Sequence, residues 1–286
     1  MRIAVTGAGG RLGSALVREL STAGEVRGWS RPDYDLDDPR AAGRIVESRP
    51  DVVVHAAAWT DVDGCAREPT LAFRRNAEAV DELARATSAA GIRLVVVSTN
   101  EVFDGDELRR AYRPGNPVGP KNPYGASKLR GEESAQDAYV GWRDGVLIVR
   151  TAWLFGPPGN DFPTKIVAAA RRARASDQPL RLVRDEIGSP SLAGDVARGI
   201  SALVVGHISG VRHVVNAGRA SRAEWAQLVL DIAGLDVATE LVPASTWKRD
   251  STPPLFCVLA SDVLLRTWEE ATREYVTSHL VEAARA

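Results

Sequence analysis

Thr6-Gly7-Ala8-Gly9-Gly10-Arg11-Leu12-Gly13 (TGAGGRLG) continues the strand-like stretch 2–6 (RIAVT), and its glycines stand at positions 7, 10 and 13. Apolar residues at positions 12, 15, 16 and 20 predict a helix after the turn. Between a strand and a helix, the first glycine allows a tight turn, the second lets the backbone approach a pyrophosphate, and the third lets the helix pack closely on the strand. Because a helix N-terminus also offers N–H groups to an anion, the stretch predicts a dinucleotide site.

Strand-like and helical segments alternate beyond this turn. Short apolar stretches predict strands at 25–29, 51–55, 92–98 and 146–150. Helical patterns lie at 37–48, where Asp37-Asp38-Pro39 supplies an N-cap and a first-turn proline, at 69–90, and from 124 onward, after a loop at 104–123. Apolar strands that alternate with helices are typical of a parallel sheet covered on both faces, so we expect an α/β fold, a Rossmann-like doubly wound parallel sheet.

The second half of the chain has a looser pattern, which predicts a smaller C-terminal α/β substrate lobe. Helical stretches are expected near 162–175, 194–205 and 221–234, with a strand-like segment at 211–216. The expected dinucleotide-binding Rossmann domain comprises residues 1–152, with about 191–216 returning to it; the substrate lobe comprises about 153–190 and 217–286.

The composition excludes several classes of function. The 286 residues carry a formal net charge of -1, so no global field favours nucleic acid or an anionic membrane. The two cysteines lie far apart and the four histidines show no close-spaced ligand pattern, so we expect neither a disulfide scaffold nor a metal site. Strand-like residues begin at Arg2, which leaves no room for a signal peptide, and no apolar run approaches membrane-spanning length. We expect a soluble, cytoplasmic protein.

The end of the second predicted strand, Trp29-Ser30-Arg31, bears on the choice of dinucleotide. NAD binding usually needs an acidic residue there to hold the ribose 2′-OH, whereas NADP needs a cation. No acid stands at this strand end, and a hydroxyl with a guanidinium suits a 2′-phosphate. Arg11 in the glycine turn adds a second cation. The prediction is NADP(H), with NADH left open because an acid could hold the ribose in a shifted register.

A candidate catalytic group follows the fourth predicted strand. Tyr124 and Lys128 are four residues apart, so they share one face of a helix. The strand ends in Ser98-Thr99, and parallel strands bring their carboxyl ends to the edge where ligands bind. A neighbouring ammonium favours phenolate, so we expect Lys128 to lower the pKa of Tyr124 and allow proton transfer near neutral pH. Tyr124 would then protonate a carbonyl oxygen while the nicotinamide donates hydride to its carbon.

These stretches together resemble the dTDP-4-dehydrorhamnose reductase family of the extended short-chain dehydrogenase/reductase superfamily. The family patterns TGxxGxLG, AAAxTxVD, STDYVFDG, NxYGxSKLxGE and RTxWxxG correspond here to TGAGGRLG (6–13), AAAWTDVD (56–63), STNEVFDG (98–105), NPYGASKLRGE (122–132) and RTAWLFG (150–156). A GSP stretch follows at 188–190, and the ordered match spans roughly residues 1–216.

The resemblance implies roles for individual residues. The catalytic triad would be Thr99, Tyr124 and Lys128. The NADPH-binding residues would be Gly7, Gly10, Arg11, Leu12, Gly13, Ser30, Arg31, Ala56, Ala57, Ala58 and Lys128. The sugar-binding residues would be Thr60, Val62, Asn100, Glu101, Phe103 and Trp153, the last offering an apolar face to a sugar ring. The expected partner is a dTDP-sugar, and a homodimer stays open.

Two departures from the family pattern concern the sugar. Asn100-Glu101 replaces the family's Asp-Tyr, and Pro253-Pro254-Leu255-Phe256-Cys257-Val258-Leu259-Ala260 replaces RPxxSxLD. The implied activity is reduction of the C4 ketone of a dTDP-4-keto-6-deoxy sugar, with a specialised deoxysugar as a plausible variant. An epimerase or dehydratase on the same fold is the alternative, with Glu101 as its visible acid/base candidate. A non-catalytic regulatory subunit is a third hypothesis, which the presence of both Tyr124 and Lys128 disfavours.

Overall fold

The computed structural model of the protein describes residues 1–106, 110–158 and 160–281. Residues 107–109 of the loop expected at 104–123, and residues 282–286 of the expected lobe, lie outside the described part. The strands are β1 (Arg2–Thr6), β2 (Glu25–Trp29), β3 (Val52–His55), β4 (Arg93–Thr99), β5 (Val146–Thr151), β6 (Leu154–Phe155), β7 (Leu180–Val183), β8 (Ile187–Gly188), β9 (Ser191–Leu192), β10 (Gly210–His213), β11 (Ala220–Ser221) and β12 (Thr239–Val242).

The helices between these strands cover the sheet and build the lobe. They are α1 (Arg11–Leu20), α2 (Ala41–Glu47), α3 (Val62–Arg67), α4 (Pro69–Phe73), α5 (Ala79–Ala89), α6 (Pro123–Ala138), α7 (Phe162–Ala175), α8 (Ala193–Val205), α9 (Arg222–Ala233) and α10 (Trp268–Tyr275). Short 3₁₀ turns lie at Asn100–Val102, Arg143–Gly145 and Ala244–Thr246, and π-helical turns at Arg74–Glu78 and Val276–Val281.

A six-stranded parallel sheet forms the centre of the fold, in the order β2-β1-β3-β4-β5-β10. Thr6 at the end of β1 aligns with Trp29 on one side and His55 on the other. The chain therefore runs from β1 to β2 in one direction and crosses to β3 in the other. Such a reversal opens a crevice at the carboxyl ends of β1 and β3, where doubly wound sheets bind ligands. The predicted doubly wound parallel sheet is confirmed.

Both faces of the sheet are buried, as its apolar strands predict. On one face, α1 and α8 pack side chains such as Leu16 and Ile200 against Val5. On the other face, helices α2, α5 and α6 enclose a second core in which Leu83 contacts the layer around Val53. These residues are fully buried, so the sheet holds its carboxyl edge as a rigid platform for the loops that follow each strand.

The segments after β5 build a smaller aromatic core. Three pairs of short strands, β6 with β9, β7 with β12 and β8 with β11, frame α7, α9 and α10. Trp225 is the centre of this core; it stacks on Phe162 at 4.5 Å between ring centroids and meets the edge of Phe155 at 5.3 Å. Its indole N–H donates to the Thr272 hydroxyl at 3.1 Å, so the buried ring is fully satisfied.

Two predicted helices differ in detail from the structure. The helix expected from Asp37 begins instead at Ala41. The Asp37 carboxylate accepts from the guanidinium of Arg75 at 2.6 Å, so it does not cap a helix, and Asp38 accepts from the Arg40 amide. The helix expected at 69–90 is present as α4 and α5, joined by a π-helical turn that carries Arg75. Within the described residues, no helix is both long and apolar enough to cross a membrane.

Candidate active site

A cavity of about 890 Å³ opens at the carboxyl ends of β1, β3, β4 and β5. Nearly all of the predicted site residues line it: Gly7, Gly10, Arg11, Leu12, Gly13, Ser30, Arg31, Ala56, Ala57, Ala58, Thr60, Val62, Thr99, Asn100, Glu101, Tyr124, Lys128 and Trp153. We call the part lined by residues 7–13, 30–36 and 56–58 the turn side, and the part lined by Thr60, Glu101 and Trp153 the lobe side. Thr99, Tyr124 and Lys128 lie where the two sides meet.

Glycines make the turn side by letting backbone segments approach one another. Gly7 has a φ of +68°, a left-handed conformation, and a Cβ added there would lie 2.8 Å from the Ala57 nitrogen. A Cβ on Gly13 would lie 2.0 Å from the carbonyl oxygen of Gly7. Neither contact is tolerable for a real side chain, so these glycines hold α1 and the loop after β3 tightly against the turn. The concave surface that results is backbone, with the N-terminus of α1 facing the cavity.

Ser30 and Arg31 lie beside the glycine turn, as predicted. The Ser30 hydroxyl accepts from the Gly9 amide at 2.9 Å, which ties the end of β2 to the turn. Arg31 lines the cavity. Arg11 also lines it, but its Nε donates to the Gly156 carbonyl at 2.8 Å, so part of its guanidinium connects the turn with the loop after β6. The local charge next to Ser30 thus comes first from Arg31.

Four further side chains line this side without having been predicted from the sequence: Tyr34, Asp35, Leu36 and Arg75. Arg75 forms a two-pronged ion pair with Asp37, with 2.6 Å between the closest atoms, which holds the pKa of that carboxyl below its usual range. The π-helical turn brings Arg75 there, and periodicity does not reveal such a turn. Asp35 lines the cavity together with Arg31, so the turn side carries an acid as well as a cation.

The three predicted catalytic residues converge from two elements. Thr99 ends β4, and its hydroxyl accepts from the Glu101 amide at 3.2 Å. Tyr124 and Lys128 lie on α6, which begins with Asn122 as its N-cap and Pro123 in its first turn. A hydrogen bond joins the Tyr124 phenol to Thr99. This bond lowers the pKa of the phenol, but burial and Glu101 raise that pKa by more. The strand end and the helix start are therefore fixed relative to each other.

The expectation that Lys128 lowers the pKa of Tyr124 is wrong for this structure. Burial raises the pKa of the Tyr124 phenol, and the negative charge of Glu101 raises it further. The Lys128 ammonium instead donates to the carbonyl of Val97 at 2.8 Å. Burial lowers the pKa of Lys128 to about 8, against the opposing effect of Glu132. Tyr124 is consequently protonated at neutral pH, the form that can donate a proton.

A buried ion pair lies close to Lys128 and includes Glu132, which is on the same helix. Arg150 on β5 and Glu132 on α6 are 5% and 3% exposed, and their closest N–O distance is 2.6 Å. The Ser98 hydroxyl also donates to Glu132 in a short hydrogen bond. Removing one partner of such a pair would leave a buried charge unpaired, so we assign it to holding β4, β5 and α6 together.

Hydrogen bonds organise the lobe side around Asn122. Its Oδ1 accepts from the Gly125 amide at 2.8 Å, while its Nδ2 donates to Glu101 Oε2 at 2.6 Å and to the Thr252 carbonyl at 3.2 Å. The neighbouring Asn100 is buried and donates to the carbonyl of Cys257 at 3.3 Å. The altered C-terminal stretch thus packs directly behind the altered pair after Thr99.

We call residues 249–254 the strap, because they join the lobe to the sheet next to this network. Arg249 pairs with Glu186 of the lobe at 3.1 Å, and Asp250 pairs with Arg67 of α3 at 2.6 Å. The Ser251 hydroxyl donates to Asp63, also in α3, at 2.5 Å. The strap therefore borders the lobe side with contacts to both parts of the molecule, which no pattern in the sequence indicated.

Trp153 holds its position through close packing. Its backbone has a φ of +39°, rare for a non-glycine residue, and the guanidinium of Arg222 lies 3.5 Å from its ring centroid. A Cβ on Gly188, in the GSP stretch, would lie 2.4 Å from the indole, so only glycine leaves room for the ring there. Arg222 and Arg249 share the buried carboxylate of Glu186, at 3.4 and 3.1 Å. Trp153 thus lines the cavity with Arg222 over its ring and with the ring of Trp225 stacked near it, at 6.0 Å between centroids.

Phe103 is the one predicted sugar-binding residue that does not line the cavity. It is fully buried, stacks on Tyr112 at 4.3 Å and lies under the guanidinium of Arg150 at 5.1 Å. The 3₁₀ turn Asn100–Val102 directs the chain away from the cavity, so the following aromatic ring enters the core. Its assignment to the sugar pocket is corrected: Phe103 lies in the wall behind it.

Comparisons with known proteins show which family this chain is similar to. The model of the family described as RmlD substrate binding domain matches residues 1–280. The dTDP-4-dehydrorhamnose reductase of Mycobacterium tuberculosis (strain H37Rv) is 38% identical over 241 residues, which cover 82% of this chain and 76% of that one. A Streptomyces antibioticus protein named probable dTDP-4,6-dihydroxy-2-methyloxan-3-one 4-ketoreductase is 33% identical over 293 residues, covering 96% of this chain and 94% of that one.

A solved structure gives the corresponding likeness in three dimensions. The dTDP-4-dehydrorhamnose reductase of Bacillus anthracis, in complex with NADP, matches with a TM-score of 0.87 and 28% identity. The match covers 96% of this chain and 97% of that chain. Fold and sequence therefore agree over nearly the whole length of the described protein.

Proposed function

This chain belongs to the dTDP-4-dehydrorhamnose reductase family of sugar-nucleotide oxidoreductases, and from that premise we propose that it reduces the C4 ketone of a dTDP-4-keto-6-deoxy sugar with NADPH. The observation that carries the proposal is the convergence of Thr99, Tyr124 and Lys128 at the junction of the two sides of one cavity. A hydroxyl, a protonated phenol and an ammonium beside a dinucleotide site are what carbonyl reduction requires.

The turn side fits NADP. The close approach at Gly7 and Gly13 leaves a backbone cradle that a Cβ would fill, and the N-terminus of α1 faces it, as a pyrophosphate site requires. Arg31 is placed to meet a 2′-phosphate, and Ser30 fixes the end of β2 beside it. The relative from Bacillus anthracis, solved with NADP, supports the same assignment. NADPH, when bound, supplies the hydride.

The chain's own residues supply the proton and orient the ketone. The Tyr124 phenol, held protonated by burial, donates its proton to the C4 oxygen as hydride addition at C4 places negative charge on that oxygen. Thr99 reaches the same oxygen with its hydroxyl, which now contacts Tyr124. Lys128, with a pKa of about 8, is mainly charged at neutral pH, and its bond to the Val97 carbonyl holds the ammonium at the end of β4 beside the dinucleotide site. Trp153 covers the sugar on the lobe side with its apolar face.

The domain division follows from this assignment. We propose that residues 1–152 with 191–216 bind the cofactor, since β10 pairs with β5 in the central sheet. Residues 153–190 and the described part of 217–286 would bind the nucleotide sugar, around the core of Trp225. The dTDP moiety of the substrate is inferred from the names of the relatives.

The test is NADPH oxidation with a panel of dTDP-4-keto-6-deoxy sugars, with product stereochemistry determined by NMR. We expect at least one member to be reduced at C4 with one NADPH consumed per sugar. Absence of NADPH consumption with every member would contradict the proposal. The stereochemistry of the alcohol then identifies the sugar.

One observation favours a second function, an epimerase or dehydratase. Glu101 places a carboxylate in the cavity, and burial raises the pKa of that carboxyl, as suits an acid/base group. Such enzymes recycle a tightly held cofactor, so the purified protein would retain dinucleotide and convert the sugar without net oxidation of NADPH. Where Glu101 removes and returns a carbon-bound proton, solvent deuterium would enter the sugar at that carbon. Net oxidation of NADPH without deuterium from solvent at carbon excludes this second function.

A further inference from the structure

Glu101 is a charged residue of the cavity that has no role in the proposed proton transfer. It lies two residues after Thr99 and lines the cavity together with Thr99 and Tyr124. Its backbone is fixed by α6, because a Cβ on Gly125 would lie 2.1 Å from the Glu101 carbonyl oxygen. The carboxyl therefore has a defined position beside the reacting groups, and the mechanism above does not use it.

Only one oxygen of this carboxyl has a partner among the described residues. Oε2 accepts from Asn122 Nδ2 at 2.6 Å, and Asn122 is itself fixed by its cap to Gly125 and its bond to the Thr252 carbonyl. Within the described chain, no hydrogen bond or ion pair reaches Oε1. A ligand that displaces water from this oxygen must bring a donor of its own, because an acceptor that is buried without a partner is costly.

The surrounding charges leave this acceptor available. Arg222 and Arg249 face Glu101 and lower its pKa, but both guanidiniums are bonded to Glu186. Burial has the larger effect and raises the pKa of Glu101. A carboxylate offers Oε1 as an acceptor, and a protonated carboxyl still offers lone pairs, so either form can receive a donor from a ligand.

The chemistry of the proposed substrate indicates which donor this is, an argument that rests on the proposed function. In a 4-keto-6-deoxy sugar, the two carbons bonded to the carbonyl carbon are C3 and C5. C5 bears the methyl group and the ring oxygen, so only C3 carries a hydroxyl. The substrate named for the Streptomyces antibioticus relative also has a ketone flanked by a methyl-bearing and a hydroxyl-bearing carbon.

We propose that Glu101 determines substrate specificity by accepting a hydrogen bond from the C3 hydroxyl of the sugar through Oε1. Asn122 positions the carboxyl for this contact. A bound sugar without a C3 hydroxyl leaves Oε1 unpaired, so its affinity should be lower by about tenfold to a hundredfold. Glu101 thus recognises the hydroxyl on C3, the carbon next to the ketone carbon that is reduced.

The test is a cycle between residue and ligand, measured by calorimetry with saturating NADP⁺ and two stable product-like probes. These are dTDP-6-deoxyglucose and dTDP-3,6-dideoxyglucose, which differ only in the C3 hydroxyl. For the wild type, we expect the 3-deoxy probe to bind about tenfold more weakly or worse. For Glu101→Leu, the two Kd values should agree within about threefold. Glu133→Leu, which changes an exposed glutamate on α6, should behave as the wild type.

Each outcome bears on a definite claim. An equal loss in the wild type and in Glu101→Leu would show that another group binds the C3 hydroxyl, and equal binding of both probes by the wild type would show that no group does. Either result overturns the proposal even if NADPH oxidation with a 4-keto sugar is observed, so the two claims fail separately. Binding of neither probe by the wild type would overturn this proposal together with the substrate class.

A second variant covers the case in which Glu101→Leu no longer binds NADP⁺. In Glu101→Gln the amide oxygen accepts from Asn122, so the amide nitrogen faces the ligand and cannot accept from a hydroxyl. The discrimination between the two probes should then fall by about threefold or more relative to the wild type. Unchanged discrimination in this variant would contradict the role of Oε1.

Discussion

The turn side and the lobe side of the cavity differ in the kind of contact that forms them. On the turn side, backbone meets backbone, and glycines at positions 7 and 13 make the contacts possible. On the lobe side, charged and polar side chains meet, as in the bonds of Asn122 to Glu101 and of the strap to α3. The first arrangement fixes a shape that any dinucleotide needs, while the second sets contacts that one substitution can change.

This difference explains where the chain departs from its family. A Cβ at Gly13 would displace backbone atoms, whereas a change at position 101 would alter side-chain bonds at the cavity surface. The chain keeps TGAGGRLG and carries Asn100-Glu101 and a new stretch at 253–260. On the proposed function, the departures expected from the sequence therefore lie where the sugar would bind, and the glycine turn keeps the family pattern.

The largest effect is expected at the junction of the two sides. Tyr124→Phe removes the proton donor but leaves the ring, so turnover should fall by about 10²- to 10⁴-fold. Binding of NADPH and of the product-like sugars should stay within about threefold of the wild type, because neither side loses its own contacts. Steady-state kinetics and calorimetry on the same preparation check both statements. An active Tyr124→Phe enzyme would remove Tyr124 from the mechanism.

A single methyl group added in the glycine turn should disrupt the packing of the turn side. Gly13→Ala places a Cβ 2.0 Å from a backbone oxygen, so we expect a loss of about 3 kcal/mol in the free energy of unfolding and weakened NADP⁺ binding. Gly43→Ala is the matched control: that glycine is also helical, and no atom lies within 4 Å of its added Cβ. It should stabilise the protein by about 0.5–1 kcal/mol. Equal stabilities of the two variants in urea would refute the close-packing argument.

The contrast between the two sides also shows what could be predicted from the sequence. The glycine pattern and the apolar strands have local physical causes, so they predicted the sheet, the turn and the position of Thr99. The four-residue spacing of Tyr124 and Lys128 predicted that they share one face of a helix, which is α6 in the structure. These parts follow from short-range rules about turns, caps and periodicity.

Long-range contacts account for what could not be predicted. The partner of Asp37 is Arg75, which a π-helical turn brings across from another segment, so the expected helix cap is lost. Phe103 enters the core because of the 3₁₀ turn before it. The pKa of Tyr124 depends on burial and on Glu101, and its direction was wrong in the expectation from the spacing of Tyr124 and Lys128 alone.

The two sides share a sensitivity to acid. His55 ends β3 on the turn side and His213 ends β10 behind the lobe side, and burial lowers the pKa of these residues to about 3 and about 4. Both folded pKa values lie below the unfolded value of about 6.5, so the unfolded chain binds more protons as the pH falls. Between about pH 6.5 and pH 5, each histidine should cost the folded state about 2 kcal/mol.

Denaturant titrations across this pH range measure the effect. His213→Asn and His55→Asn should each reduce the pH dependence of the unfolding free energy by about one proton, or about 1.4 kcal/mol per pH unit at its steepest. Val205→Ala, which changes an exposed side chain that does not titrate, is the control and should leave the slope unchanged. A slope that neither buried substitution alters would show that both side chains are charged in the folded protein.

The smallest effect is expected at the strap. Ser251→Ala removes the hydroxyl that donates to Asp63, which loosens one of several contacts that border the lobe side. The KM for the sugar should rise by about threefold, equivalent to less than about 1 kcal/mol, while the Kd for NADPH stays unchanged. Ser209→Ala, at an exposed serine bonded to Asp144, should change neither value. Equal shifts for both ligands would mean that the strap supports the whole cavity and does not belong to the lobe side alone.

The most direct test of the account follows the hydride itself. The protein is incubated with NADPH deuterated at the transferable C4 position of the nicotinamide and with a dTDP-4-keto-6-deoxy sugar, and the product is analysed by NMR. The account predicts one deuterium at sugar C4, with an equivalent amount of NADP⁺ formed. Deuterium at any other carbon, or a sugar product formed without oxidation of the cofactor, would contradict it.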